Sequence, residues 1–233
     1  MSWLLGHATT SYTYASETVS LQTKSGKNTT LSSLCQSTIP PCKLNPFLFN
    51  GHLQTAWTAV KSVDDVPVIY RRKVFDHPDQ TYAGSYAVDF AVHEPAEQED
   101  DTLPPRTTYF TEKEFDNLPS DDDRPMLVTL HGLSGGSYEL YLRHVLAPLI
   151  SNGWEACVVN ARGCANSKIT SGVLFNARAT WDVRQTVKWL RKTFPNRPLF
   201  GIGFSLGANI LTNVSGNRIS QPHSRNQNRQ MLT

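Results

Sequence analysis

Pro198-Leu-Phe-Gly-Ile-Gly-Phe-Ser205-Leu-Gly-Ala-Asn-Ile-Leu-Thr-Asn213 decides the fold. Leu199 to Phe204 is a short apolar run of strand length, and a helical pattern follows from Ser205. At the junction stands Gly203-Phe-Ser205-Leu-Gly207, a G-x-S-x-G. A serine on a tight strand-to-helix turn carries a strained backbone and an exposed Oγ. Glycines two before and two after it let neighbouring backbone pass without a Cβ in the way. The helix N-terminus adds unpaired N–H groups and partial positive charge, which suit an oxyanion.

Working outward, the chain before this stretch repeats the strand-helix theme. Met126 to Leu130 reads as a buried strand and Tyr138 to Ser151 as a helix with Tyr141, Val145 and Leu149 on one face. Glu155 to Ala161 reads as a strand and Ala177 to Phe194 as a helix. Strands alternating with helices of this length predict a parallel sheet. Ligands of such sheets bind at the C-terminal ends of the strands. Three loops meet that edge: His131-Gly-Leu-Ser-Gly-Gly-Ser137, Arg162-Gly-Cys164 and the Ser205 turn.

Further upstream, Val68 to Phe75 and Tyr86 to Val92 read as strands. In the second, Ala87, Asp89 and Ala91 alternate with Tyr86, Val88, Phe90 and Val92. Residues 94–124 are acidic and end in Asp121-Asp-Asp-Arg124, which predicts a solvated surface insertion. Asn45-Pro-Phe-Leu-Phe-Asn-Gly-His52-Leu-Gln-Thr-Ala-Trp57 predicts an aromatic loop and a helical turn. Residues 1–44 form a polar, Ser/Thr-rich segment. Residues 214–233 hold Arg218, Arg225 and Arg229 without any Asp or Glu, and are expected to be a disordered tail.

The 233 residues suit one sizeable core, and 39% hydrophobic with 18% charged residues is ordinary for a globular chain. A net charge of +2 gives no argument for nucleic acid or an anionic membrane. Cys35, Cys42, Cys157 and Cys164 show neither C-x-x-C nor metal-ligand spacing, so free thiols and no metal are expected. Neither a signal peptide nor a run of roughly 18 apolar residues is visible. An intracellular location is expected, in the cytoplasm or peripherally on lipid surfaces.

Asn50-Gly-His-Leu-Gln-Thr55, Ala87-Val-Asp-Phe90, His131 to Ser137, Asn160-Ala-Arg-Gly-Cys164, Ser167-Lys-Ile169 and Gly203 to Asn209 occur together and in this order. In that combination the chain resembles the lipid-ester branch of the α/β-hydrolases, which includes fungal medium-chain fatty-acid ethyl ester synthase/esterases and monoacylglycerol lipases. The resemblance implies an α/β-hydrolase fold over residues 45–213, interrupted by the acidic insertion. It implies a serine carboxylester hydrolase or acyltransferase that acts on medium-chain fatty-acid esters or acylglycerols and uses no cofactor. Ser205 matches the nucleophile. The backbone N–H groups of Leu133 and Leu206 match the oxyanion hole.

A serine nucleophile needs a histidine held by a carboxylate, in the family order Ser, Asp or Glu, His. After Ser205 the sequence has no Asp or Glu, and its one histidine is His223. His131, His144 and Asp182 lie upstream and are expected to be structural. His52 is expected to bond its loop and the Arg162-Gly163 turn to shape the pocket rim. The chain therefore reads as a hydrolase truncated after its elbow, with the later strands and helices missing. Val214-Ser215 can be encoded by GTAAGT or GTGAGT, so an intron read through to a stop codon is expected, giving a non-catalytic product. A nucleotide-binding reading fails: Gly201-Ile-Gly-Phe-Ser-Leu-Gly207 is one residue off the dinucleotide fingerprint and no acid follows about 20 positions on.

Overall fold

Met126-Leu-Val-Thr-Leu130 alternates its side chains between two apolar layers, as a strand covered on both faces must. Met126, Val128 and Leu130 join Tyr86, Val88, Phe90, Cys157 and Val159 on one face; Leu127 joins Tyr70, Ala156 and Val158 on the other. The computed structural model describes residues 10–43, 45–60, 66–93 and 100–219, with residues 59 and 217–219 described by their backbone alone. The chain divides into two units, Met1–Asp64 and Asp65–Thr233.

In the first unit, β1 (Ser20–Gln22) and β2 (Asn28–Thr30) form an antiparallel hairpin. Thr30 caps α1 (Leu31–Thr38) by accepting from the Ser33 N–H. Asn50 caps α2 (Gly51–Val60) in the same way, its Oδ1 accepting from the Leu53 N–H at 2.9 Å. The polar N-terminal segment thus carries regular structure where its composition promised little.

The second unit is one mixed sheet. Its strands are β3 (Ile69–Asp76), β4 (Ser85–Val92), β5 (Thr107–Tyr109), β6 (Met126–Leu130), β7 (Glu155–Val159) and β8 (Leu199–Gly203), in spatial order β5-β3-β4-β7-β6-β8. Pairs β3/β5, β6/β7 and β6/β8 are parallel; β3/β4 and β4/β7 are antiparallel. Helix α4 (Leu140–Ser151) supplies Leu142 and Leu146 to one face; α5 (Trp181–Thr193) and α6 (Leu206–Ile219) supply Val183, Leu190, Ile210 and Val214 to the other.

Three expectations change. The stretch at 100–124 is mostly exposed but joined to the fold: β5 extends the sheet, Leu103 and Thr107 are buried, and α3 (Glu112–Asp116) begins in a capping box between Thr111 and Glu114. Asp122 is not a free surface charge, since it accepts two bonds from Arg197, at 2.8 and 2.6 Å. The buried face of α4 is Leu142, Arg143 and Leu146, not Tyr141, Val145 and Leu149, because Tyr141 turns toward the Ser205 turn. The tail expected to start at 214 is helical to Ile219, and Val214 is buried in the core. His223, Arg225 and Arg229 lie outside the described residues.

Candidate active site

Strands β6 and β8 are neighbours in register, with Leu130 opposite Gly203. Both therefore release their C-terminal loops side by side, and the Phe204 N–H still donates to the Leu130 carbonyl at 3.1 Å. The helix after β6 lies on one face of the sheet and the helix after β8 on the other, which opens a crevice between the two loops.

Ser205 stands at this crevice, exposed, with φ of 51°. That is the left-handed region, which a non-glycine residue occupies at a cost of order 1 kcal/mol or more. Ser134, Ala165 and Asn166, in the loops of the same edge, also have positive φ. Both motif glycines are sterically required. A Cβ at Gly203 would stand 2.5 Å from the Gly207 carbonyl, and one at Gly207 would stand 2.6 Å from the carbonyl oxygens of Leu130 and His131.

At the start of α6 the Gly207 and Ala208 N–H groups donate to Phe204 and Ser205 carbonyls. Among the described residues the Leu206 N–H donates to nothing, and neither does the Leu133 N–H. The Leu133 loop reaches the elbow: the Cβ position of Gly132 lies 3.6 Å from Ser205 Cβ. The loop that carries Leu133 and the turn that carries Leu206 thus approach each other at Ser205.

His131 is spent on the backbone. Its Nε2 accepts the Ala161 N–H at 3.0 Å, so its Nδ1 carries the proton and donates to the Gly132 carbonyl at 2.6 Å. Burial pulls its pKa below the ordinary histidine value. It ties the β6 loop to the β7 loop and is no base for Ser205.

The most buried polar cluster escaped sequence reasoning. Asp89 accepts from Arg72 Nε and Nη2 at 2.6 and 2.7 Å, from Ser137 Oγ at 2.6 Å and from Asn160 Nδ2 at 2.7 Å. Asn160 Oδ1 in turn accepts the Ser137 N–H, and Arg72 donates to the Ala165 carbonyl. All four side chains are at most 1% exposed. The cluster fastens the end of the His131–Ser137 loop to β3, β4 and β7. Asp89, Ser137 and Asn160 stand in motifs of the sequence, but nothing there joined them to one another or to Arg72.

Asp182 pairs with Arg162 through two bonds, at 2.9 and 2.8 Å, and Arg162 also donates to the carbonyls of Tyr82, Ala83 and Val173. Asp182 is thus structural, as expected, while Arg162 shapes the rim with its side chain as well as its backbone. Beside it a cleft of about 470 Å³ is lined by Ser134, Tyr138, Cys164, Ile169, Leu174 and Phe175. His144 and His52 are exposed, and among the described residues no hydrogen bond uses the His52 ring. No cluster of metal-ligating residues occurs among the described residues, and no described helix is long and apolar enough to cross a membrane.

Residues 125–224 match the family described as alpha/beta hydrolase fold. The chain belongs to the α/β-hydrolases. A monoacylglycerol lipase of Saccharomyces cerevisiae is 41% identical over 186 residues, covering 72% of this chain and 40% of the relative. A medium-chain fatty acid ethyl ester synthase/esterase 2 of the same yeast is 33% identical over 198 residues, covering 75% of this chain and 44% of the relative. This α/β-hydrolase chain thus spans less than half the length of either relative. An esterase of Pyrococcus furiosus aligns at 17% identity with a TM-score of 0.41, over 64% of this chain and 47% of its own.

Proposed function

We propose that this α/β-hydrolase domain bears the nucleophile of a serine carboxylester hydrolase or alcohol acyltransferase acting on medium-chain fatty-acid esters or acylglycerols. One observation carries the reading: Ser205 stands at φ 51° on the turn between β8 and α6, with the Gly132–Leu133 loop alongside, and the Leu133 and Leu206 N–H groups have no acceptor among the described residues. Ser205 Oγ attacks the ester carbonyl as a base removes its proton, and the N–H groups of Leu133 and Leu206 stabilise the resulting oxyanion. Each such donor is worth about 3 kcal/mol in the transition state. Collapse expels the alcohol, which takes up the proton, and leaves an acyl-Ser205. Water or a second alcohol then releases the acyl group. The names of the two yeast relatives support the substrate class. Such esters partition to lipid surfaces, and we place the protein in the cytoplasm or on such surfaces.

The same site argues for a divided machine. His131 is committed to two backbone groups and Asp182 to Arg162, so neither serves Ser205. The base and its carboxylate are proposed to come from outside the described residues of this chain. For the 233-residue chain by itself the expected result is no turnover of p-nitrophenyl octanoate and no labelling by a fluorophosphonate. Vigorous hydrolysis by that chain, abolished by Ser205→Ala, would show that the base is already present.

A further inference from the structure

Tyr141 stands in the first turn of α4, directly after the loop that carries Leu133. Its hydroxyl oxygen accepts the Gly132 N–H at 2.9 Å. Two glycines leave room for that oxygen: it lies 3.4 Å from the Cβ position of Gly132 and 3.2 Å from that of Gly135. The Gly135 N–H closes the turn by donating to the Gly132 carbonyl at 3.2 Å, so the hydroxyl sits within the curve of the turn. The ring is fixed from the other side by Phe204, the residue before the nucleophile, at 4.9 Å between centroids.

We infer that Tyr141 is a positioning residue for the oxyanion loop, its hydroxyl holding the Gly132 peptide so that the Leu133 N–H stays free beside Ser205. The inference rests on the serine-esterase reading. A backbone N–H is an obligatory donor. With the Gly132 N–H satisfied by Tyr141, the loop has no need to turn in order to satisfy it, and the next N–H along is the one left without an acceptor. The phenol is suited to this because it accepts one bond and keeps its own proton for solvent. Its ring packs on Phe204, which links loop geometry to elbow geometry through a single side chain.

Tyr141→Phe keeps the ring and removes the oxygen. In the 233-residue chain, amide exchange at Gly132 is expected to quicken by at least about tenfold while the amides of Val128 and Leu130 stay unchanged. In the longest natural polypeptide containing residues 1–213, kcat for p-nitrophenyl octanoate is expected to fall by up to about 100-fold, the scale of a small misplacement. KM should stay within twofold and the melting temperature within a few degrees. Unchanged exchange at Gly132, unchanged kcat, or a loss of activity that tracks a loss of melting temperature would each overturn the inference. Ser205→Ala separates the two levels. Turnover that depends on Ser205 but ignores Tyr141→Phe sinks this inference alone. Absence of Ser205-dependent turnover sinks the esterase reading and the positioning role with it.

Discussion

Replacing Asp89 by Asn changes one atom and removes one charge from the centre of the buried cluster. Arg72, 1% exposed, would keep its guanidinium with no anion beside it. Asp89 Oδ2 now accepts from three donors, Arg72 Nη2, Ser137 Oγ and Asn160 Nδ2. An amide NH2 in that place would confront donors with a donor. Asn160 cannot flip to help, because its Oδ1 holds the Ser137 N–H. Breaking a buried ion pair from one side costs about 3–5 kcal/mol. Against a total stability of roughly 5–15 kcal/mol that is a large fraction. For a domain of this size, where 1 kcal/mol moves the melting temperature by about 2–4 °C, it corresponds to a drop of roughly 6–20 °C. Circular-dichroism melting at neutral pH measures it. Asp76→Asn, an exposed carboxylate on the neighbouring strand β3, serves as the control and should stay within about 0.5 kcal/mol. An Asp89→Asn protein melting within about 2 °C of the wild type would refute the claim that this cluster fastens the loop.

Other outcomes follow from particular contacts. His131 has a pKa lowered by burial, so the unfolded chain binds its proton more readily; its contribution to stability is present above about pH 6.5 and is lost as pH falls through the folded value. Melting temperatures measured from pH 8 to pH 5 should therefore decline, and a His131→Gln variant should show a shallower slope; equal slopes would contradict the buried neutral ring. Asp122 is held well below the usual carboxylate range, first by Arg197 and then by Arg124, so its contribution is present above about pH 4 and is lost on further acidification. Asp122→Asn should flatten that acid limb in the same melts. Gly203→Ala should destabilise by at least about 1–3 kcal/mol because its Cβ meets rigid backbone, whereas Gly216→Ala, in open space on α6, should stabilise by up to about 1 kcal/mol. Among the described residues β8 is an edge strand with Phe200 45% exposed, so the 233-residue chain is expected to aggregate in light scattering; a monodisperse monomer with a cooperative melt would contradict this.

What the sequence disclosed, and what it withheld, has a physical pattern. Apolar runs of strand length placed β6 at the observed residues and β4 within one, because both faces of those strands are buried. The elbow was legible because its glycines are demanded by backbone contacts two residues away, a local constraint. Helix starts were less legible. The helix expected from Tyr138 begins at Leu140, since Ser137 is held by Asp89 and Asn160 and cannot join it. The helix expected from Ala177 begins at Trp181, after a turn closed by Asn176. Long-range partners were illegible. Asp89 joins Arg72, Ser137 and Asn160, and no periodicity reports pairings across 17, 48 and 71 positions. The strand β5 escaped because three residues inside an acidic stretch carry too little pattern. Tyr141 was assigned to the apolar face of α4 by spacing, yet its hydroxyl took it to Gly132.

The central proposal is that Ser205 is the nucleophile of a serine hydrolase, with a base other than the committed His131. Its most direct measurement is mass-spectrometric mapping of a fluorophosphonate adduct on two polypeptides, the 233-residue chain and the longest natural polypeptide that shares residues 1–213. The account predicts an adduct on Ser205 in the longer polypeptide, absent from its Ser205→Ala variant and from the 233-residue chain. An adduct at another residue, or none on the longer polypeptide, would contradict it.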